Sequence, residues 1–323
     1  MQDFIIKRIL WMFPALFIML TLLFFAFQVI PGDPVRAIFS GEGATTLTQE
    51  QVDYFRNLFG LDKPLHIRYF KWFWDALRLD LGLSIQTGAE VTKEVSTRLP
   101  VTSTLVIMAL LITIVIAIPF GILCAFYQDK WPDYVLRIVA LFALSMPSFW
   151  VGVLVILMFL YLWRWFPPLD YATIFTDPWM TMKQLFLPAF ILGVRPVGVA
   201  VRVVRSSMLE VFREDFLRTA RAKGVIERLV ISRHALPNGL IPVITFFGLE
   251  AIILVGAAVL IEQIFAIPGL GTLVVDAVKA RDMYMAQGGM LFLFILSLVV
   301  NFIVDVLYGV IDPRVRHEYA RGK

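Results

Sequence analysis

The stretch Val101–Tyr127, VTSTLVIMALLITIVIAIPFGILCAFY, holds no charged side chain. At a rise of about 1.5 Å per residue, a helix of this length crosses a hydrocarbon core of about 30 Å. Apolar runs of similar reach recur at 9–30, 135–163, 185–204, 240–265 and 286–311. Mean hydropathy is +0.79 and only 17% of residues are charged, far from a soluble protein's balance. The chain therefore reads as an all-α polytopic membrane protein with six transmembrane helices.

The first run follows Lys7 and Arg8, as in a secretory leader. It is too long for a leader's apolar segment, and FQVIPGDP offers no small-x-small cleavage site, so residues 1–30 are expected to form a retained anchor helix. The lone Cys124 excludes an intrachain disulfide framework and fits a small core residue. The formal charge of +4 is gathered in the 205–239 segment and the tail 312–323, whereas the short connections 164–184 and 266–285 are nearly balanced. That bias predicts both termini in the cytoplasm, a lipid bilayer as surroundings and no nucleic-acid partner.

Residues 31–98 are too structured for a linker. Val52, Phe55, Leu58 and Phe59 recur at helical spacing, as do Leu65, Tyr69, Phe70, Phe73, Trp74 and Leu77. Two amphipathic helices separated by GLDKP are expected, either as a small folded extracytoplasmic insertion or as helices lying in the membrane interface. A core of long spans then covers 99–311.

One dense, mostly basic block interrupts this apolar chain: REDFLRTARAKGVIERLVISRHALPNG, Arg213–Gly239. Ser207 and Glu210 have the spacing of a capping box. Glu214 and Asp215 precede Arg218, Arg221 and Lys223, the order that favours the helix dipole and i,i+4 pairing. Gly224 can supply the left-handed residue that ends a helix. Ile226, Leu229 and Val230 give a second short helix an apolar face, and Pro237 begins the return to the membrane. The block predicts a helical hairpin whose polar side contacts a partner.

Several chemistries are excluded. No phosphate-binding G-x-x-x-x-G-K-[ST] loop exists, since GEGATTLT at Gly41 lacks the lysine. His66, His234 and His317 fall in separate segments without ligand-spaced partners, so no metal site is expected. No nucleophile, base and orienting group come together in any pattern, so the chain is not expected to be an enzyme.

The spacing Ala220, three residues, Gly224, nine residues, His234-Ala235-Leu236-Pro237 resembles the EAA loop of ATP-binding-cassette importer permeases. Arg218-Thr219-Ala220 stands where that pattern has E-A-A, and His234 where it has isoleucine. RTARAKG followed by RHALPN is similar to the version found in the dipeptide, oligopeptide and nickel subfamily. VIPGDP at Val29–Pro34, GLDKPLHIRY at Gly60–Tyr69, DLGLS at Asp80–Ser84, EQIFAIPGLG at Glu262–Gly271 and DVLYGVIDPRVR at Asp305–Arg316 extend the resemblance over nearly the whole chain. The long segment after the first span makes it look like the first of that family's two paralogous permeases.

The resemblance implies a type I importer permease fold in a bacterial inner membrane. It implies a heterodimer with a paralogous permease, two cytoplasmic ATPases and an extracytoplasmic solute-binding protein. No cofactor is expected on this chain, with ATP and Mg held by the ATPases. The resemblance further implies that the segment from Glu214, Asp215, Arg218, Thr219, Ala220, Arg221, Ala222, Lys223 and Gly224 to His234, Leu236 and Pro237 couples to an ATPase. A self-sufficient secondary transporter or channel is the alternative, and it would need inverted repeats that the sequence does not display.

Ionisable groups inside spans are costly, about 2.5–3.5 kcal/mol for a central Arg or Asp on insertion scales. Arg195 and Glu250 fall at similar depth by helical rise, whereas Asp305 lies near the inner end of its span with Asn301 and Tyr308 on one face. Two readings remain open for Arg195, Glu250, Asn301 and Asp305: structural contacts between helices, or groups lining the solute path. Finally, Pro268, Gly269 and Gly271 permit a tight extracytoplasmic turn after the fifth span, with Glu262 expected to hold it by hydrogen bonding.

Overall fold

The computed structural model describes residues 2–29, 48–58, 60, 62–168 and 170–311. The motif VIPGDP beyond Val29, the first part of the insertion including GEGATTLT, and the tail with His317 lie outside the described residues. Apart from one isolated bridge between Leu83 and Glu90, every regular element among the described residues is helical. In order these are α1 (Gln2–Gln28), α2 (Gln49–Leu58), α3 (Leu65–Leu77), α4 (Val91–Phe126), α5 (Trp131–Ser145), α6 (Ser148–Trp163), α7 (Pro178–Phe212), α8 (Asp215–Ala222), α9 (Leu236–Phe265), α10 (Leu270–Lys279) and α11 (Met283–Ile311). Helices α1, α4, α7, α9 and α11 are each long and apolar enough to cross a membrane; α5 and α6 pass the same test only as a pair, which gives up to six spans if the bent pair is counted as one.

That break corrects the expectation of one continuous span over 135–163. Helices α5 and α6 meet at 96°. Pro147 has no N–H to donate and its ring disfavours helical backbone at the residue before it; Met146 accordingly adopts φ −102°, ψ 127°. Helix α7 differs in the opposite sense. It runs well past the expected 185–204, with Asp177 accepting the Met180 N–H as its N-cap at 2.9 Å. Pro188 and Pro196 lie inside it without ending it.

The chain divides into two compact units. The first holds 103–267 together with the flanking segments 1–8 and 297–323, so far as these are described. Its core gathers Ala117, Cys124, Ala140, Ala200, Val204 and Phe247 from α4, α5, α7 and α9. Lipid tails are as apolar as leucine, so close packing rather than escape from water holds such helices together. Gly198 of α7 lies directly on the Ala140 carbonyl of α5, and Gly121 of α4 against the Val204 side chain, positions where an added Cβ has no room.

The second unit comprises 9–102, so far as described, and 268–296. Both expected amphipathic helices are present, as α2 and α3. The inner face of α3 packs on α1: the Phe24 ring meets Tyr69 at 5.4 Å and Trp72 at 5.6 Å, and Tyr69 Oη shares a 2.8 Å hydrogen bond with Thr21 Oγ1. Leu20, Leu23, Ala76, Val91, Leu270 and Met285 form the core beneath. Phe70 and Trp74 stay exposed on the other side of α3. Helix α3 thus carries aromatic side chains on both faces, one packed on α1 and one exposed. Asp282 caps α11 by accepting the Met285 N–H at 3.2 Å, and it also accepts the Ser84 hydroxyl.

Candidate functional site

Between α7 and α9 the chain leaves the helix bundle of the first unit and returns as a closed hairpin. Helix α8 ends in a paired cap: the Gly224 N–H donates to Arg221 O at 2.9 Å and the Val225 N–H to Ala220 O at 3.3 Å. This six-to-one closure requires a left-handed residue, and Gly224 has φ +77°. Arg221 spans the turn and donates to both carboxylate oxygens of Glu227, at 2.8 and 3.1 Å. The Glu227 bonds raise the pKa of the Arg221 guanidinium further. Such forked pairs fix direction as well as distance. Asp215 pairs with Arg218 at 3.2 Å, so of the expected pairs along α8 only this one forms, while Arg221 turns across the break instead.

The expected second helix is a single turn, Glu227–Leu229, that runs directly through a π-helical stretch, Val230–Ala235, into α9. Pro237 gives the reason. Lacking an N–H, it cannot donate back into the preceding turn, and its ring would press on the carbonyl four residues before. A wider turn relieves this: the Leu236 N–H donates to Ile231 O, five residues back. The His234 carbonyl instead accepts from Asn238 Nδ2 at 2.8 Å. The His234 side chain is half-buried and Leu236 packs on the core.

Leu217 and Val230 are fully buried and hold both limbs to the core formed by Val204, Met208 and Ala235. Ser207, expected as a helix cap, is a correction: it lies inside α7 and donates from Oγ to Gly239 O at 2.6 Å, fastening the base of the hairpin. The outer surface carries Glu214, Asp215, Arg218, Thr219, Arg221, Ala222, Lys223 and Gly224, all exposed, with Ala220 half-buried. The apolar face expected of Ile226, Leu229 and Val230 is divided. Val230 turns in, but Ile226 is 63% exposed and Leu229 45%, and Phe216 of α8 is 43% exposed. Three large apolar side chains exposed on one hairpin have a cost in water and something to gain from a partner.

Sequence reasoning missed a buried charged group at the base of α5. Asp133, at the start of α5, is fully buried. Arg205 of α7 donates to its two oxygens from Nε at 2.8 Å and Nη2 at 2.7 Å, Arg137 stands 3.4 Å away, and the Asp129 N–H donates at 3.1 Å. The 128–134 connection looked weakly charged in sequence, and its partner lies 72 residues away. The only local signal was an acid in the first turn of a helix opened by Trp-Pro.

The other singled-out residues fall as follows. Arg195 is exposed and Glu250 buried; they attract one another electrostatically, yet no ion pair within 4 Å joins them. Asp305 pairs with Arg8 at 3.1 Å, Asn301 is exposed, and the Tyr308 side chain lies outside the described residues. In the turn after α9, Glu262 is fully buried and its carbonyl accepts the Ile267 N–H at 2.9 Å. Ala266 rather than a glycine adopts the left-handed conformation there, Pro268 is half-buried, and Gly269 and Gly271 are buried at the start of α10. Tyr171 donates its hydroxyl to Phe265 O at 3.0 Å, and burial pushes its phenol up to about 12. No cluster among the described residues has the ligands for a metal ion.

A bundle of long apolar helices, with a closed hairpin between two of them, is the architecture of an integral membrane protein. The chain belongs to the family described as binding-protein-dependent transport system inner membrane components, matching over residues 117–317, and its N-terminal part matches that family's N-terminal module over 1–106. Among its relatives, a protein named for a peptide transport system permease in Brucella abortus (strain 2308) is 40% identical over 98% of this chain and 100% of its own length. The glutathione transport system permease protein GsiC of Escherichia coli K12 is 34% identical over the same shares. A solved structure described as an amino acid ABC transporter with histidines aligns with 67% of this chain and 94% of its own, at 14% identity and a TM-score of 0.49.

Proposed function

We propose that this permease forms half of the translocation path of an ATP-driven importer for short peptides or similar small solutes. It pairs with a paralogous permease, receives solute from a binding protein on the outer side, and engages a cytoplasmic ATPase through the Arg213–Pro237 hairpin. ATP and Mg belong to the ATPases, and both termini face the cytoplasm. The names of the relatives support the solute class. The observation that carries the coupling role is the exposure of Phe216, Ile226 and Leu229 on a hairpin whose own turn is locked by Gly224 and the Arg221–Glu227 fork. A partner that buries those side chains can move the hairpin as one body.

Arg195 supports the path reading. It stands on an exposed stripe of α7 with Arg202, Ser206 and Glu210 at helical spacing, on a surface left open in the single chain. A guanidinium there suits a peptide carboxylate, which it can hold through two parallel bonds. Co-purification tests the coupling reading. The wild-type complex should retain an ATPase, and Ile226→Glu with Leu229→Glu should release it while the permease pair stays in the membrane. Retention of the ATPase by that double variant would remove the hairpin as its contact.

A further inference from the structure

The second unit contains a cavity of about 520 Å³, between α3, the 80–83 segment and the first turns of α11, that none of the roles above uses. Five charged side chains line it: Lys63, Arg68 and Lys71, and opposite in sign Asp75 and Asp80. Among the described residues none of the five forms an ion pair, although Lys71 and Asp75 stand at the i,i+4 spacing where pairing is available. Opposite charges held around one void without closing on each other leave both signs available to a guest. A further polar group points the same way. Gln287 of α11 lines the cavity, is only 3% exposed, and makes no hydrogen bond among the described residues. Its amide is therefore one more polar group on the cavity wall with bonding capacity for a guest.

We propose that this cavity binds a small zwitterion, a short peptide of net charge zero or minus one, at a site separate from the Arg195 stripe. The α-ammonium meets Asp75 and Asp80, a carboxylate meets Arg68 and Lys71, and the peptide amide satisfies Gln287. Three cations against two carboxylates favour a guest with one surplus negative charge. Trp72 and Leu81 provide an apolar wall for a side chain, and the volume lies within the range of about 300–1,000 Å³ usual for small-ligand sites. A zwitterionic lipid headgroup shares the charge pattern and brings acyl chains; the exposed residues lining this cavity include the charged Lys63, Lys71 and Asp80 beside the apolar Ile67 and Leu83, so a rim with more charged than apolar side chains favours the peptide and the lipid is kept as an outcome of the test. The choice of a peptide as guest rests on the peptide-importer reading; the charge pattern does not.

The test uses the purified permease–ATPase complex in nanodiscs, without binding protein or nucleotide, and radiolabelled Ala-Glu dipeptide as probe. Saturable binding is expected, weakened at least tenfold by Arg68→Gln and by Asp75→Asn, with Gln287→Leu weakening it less. N-acetyl-Ala-Glu should bind weakly and be indifferent to Asp75→Asn. Lys71→Gln, on the exposed side of α3, substitutes for Arg68→Gln should that variant melt early. Absence of saturable binding overturns the proposal, as does binding lost in Arg195→Gln but kept in Arg68→Gln. Equal binding of the N-acetylated probe overturns it too, as does a co-purified phosphatidylethanolamine that the same variants release. Peptide uptake by intact cells separates the two readings. No binding with normal uptake sinks this site and leaves the importer standing, whereas binding without any peptide uptake sinks the importer reading alone.

Discussion

Gly224 offers the cleanest test of the hairpin, because a side chain there meets no obstacle except its own backbone. At φ +77° a Cβ would find nothing within 4 Å, so the cost of substitution is conformational. A residue with a Cβ in the left-handed region loses about 1–2 kcal/mol, with asparagine the mildest and β-branched residues the worst. One to two kcal/mol changes a population ratio by about 5- to 30-fold. Gly224→Val should therefore deplete the observed turn by that factor, and Gly224→Asn far less. Leu217 and Val230 stay anchored on either side, so the loss falls on the angle between α8 and the 227–235 limb and not on membrane insertion. The assay is solute-stimulated ATP hydrolysis by the reconstituted importer, read beside uptake. Valine should reduce both at least fivefold with normal yield in the membrane, and asparagine should stay near wild type. Equal behaviour of the two variants, or full coupling with valine, would refute the argument from backbone geometry.

Breaking the buried cluster at Asp133 should be asymmetric. Arg205→Leu leaves a fully buried carboxylate with only Arg137 at 3.4 Å and the Asp129 N–H, a loss below the roughly 3–5 kcal/mol of an uncompensated buried charge, whereas Asp133→Asn leaves an arginine that is 18% exposed and can recover water; equal losses of melting temperature would contradict this. Arg195→Gln should lower uptake with little change in melting temperature, because the side chain is exposed. A large melting loss that Glu250→Gln reverses would make the two a structural pair instead. In the orientation proposed, a cysteine at Lys279, 68% exposed near the end of α10, should react with an impermeant thiol reagent from outside the cell; reaction from the cytoplasmic side alone would invert the topology.

The spans were legible in sequence because a stretch such as Val101–Tyr127 has one way to satisfy its backbone in lipid, and the hairpin because Gly224 marks a helix end in any setting. What escaped depends on neighbours. Pro147 ends a helix and Pro196 does not, although each removes one donor, because surrounding helices in a membrane can absorb a freed carbonyl. No local pattern distinguishes the two. Ser207 and Glu210 fit a cap by spacing, yet Ser207 bonds across to Gly239, a choice made by the approach of α7 to α9. The burial of Asp133 likewise depends on Arg205, which comes from α7, 72 residues along the chain.

These long-range choices explain how a short hairpin can act on long helices. Its two limbs leave the core where Ser207 meets Gly239, and there Gly239 also lies against Met208 so closely that an added Cβ would come within 2.7 Å of the sulfur. Two residues before Ser207, Arg205 locks α7 to the start of α5 through Asp133. On the other limb no loop intervenes, since the Glu227–Leu229 turn passes through the π-helical stretch straight into α9. Under the coupling proposed above, a displacement at Ile226 would have two routes: helix from Glu227 into α9, and, across the turns at 213–214 and 223–224, the bidentate ion pair from α7 into α5. Helix α5 itself meets α6 at 96° beside Pro147, so in the proposed coupling the push would reach an element that is already bent and would be expected to move there first.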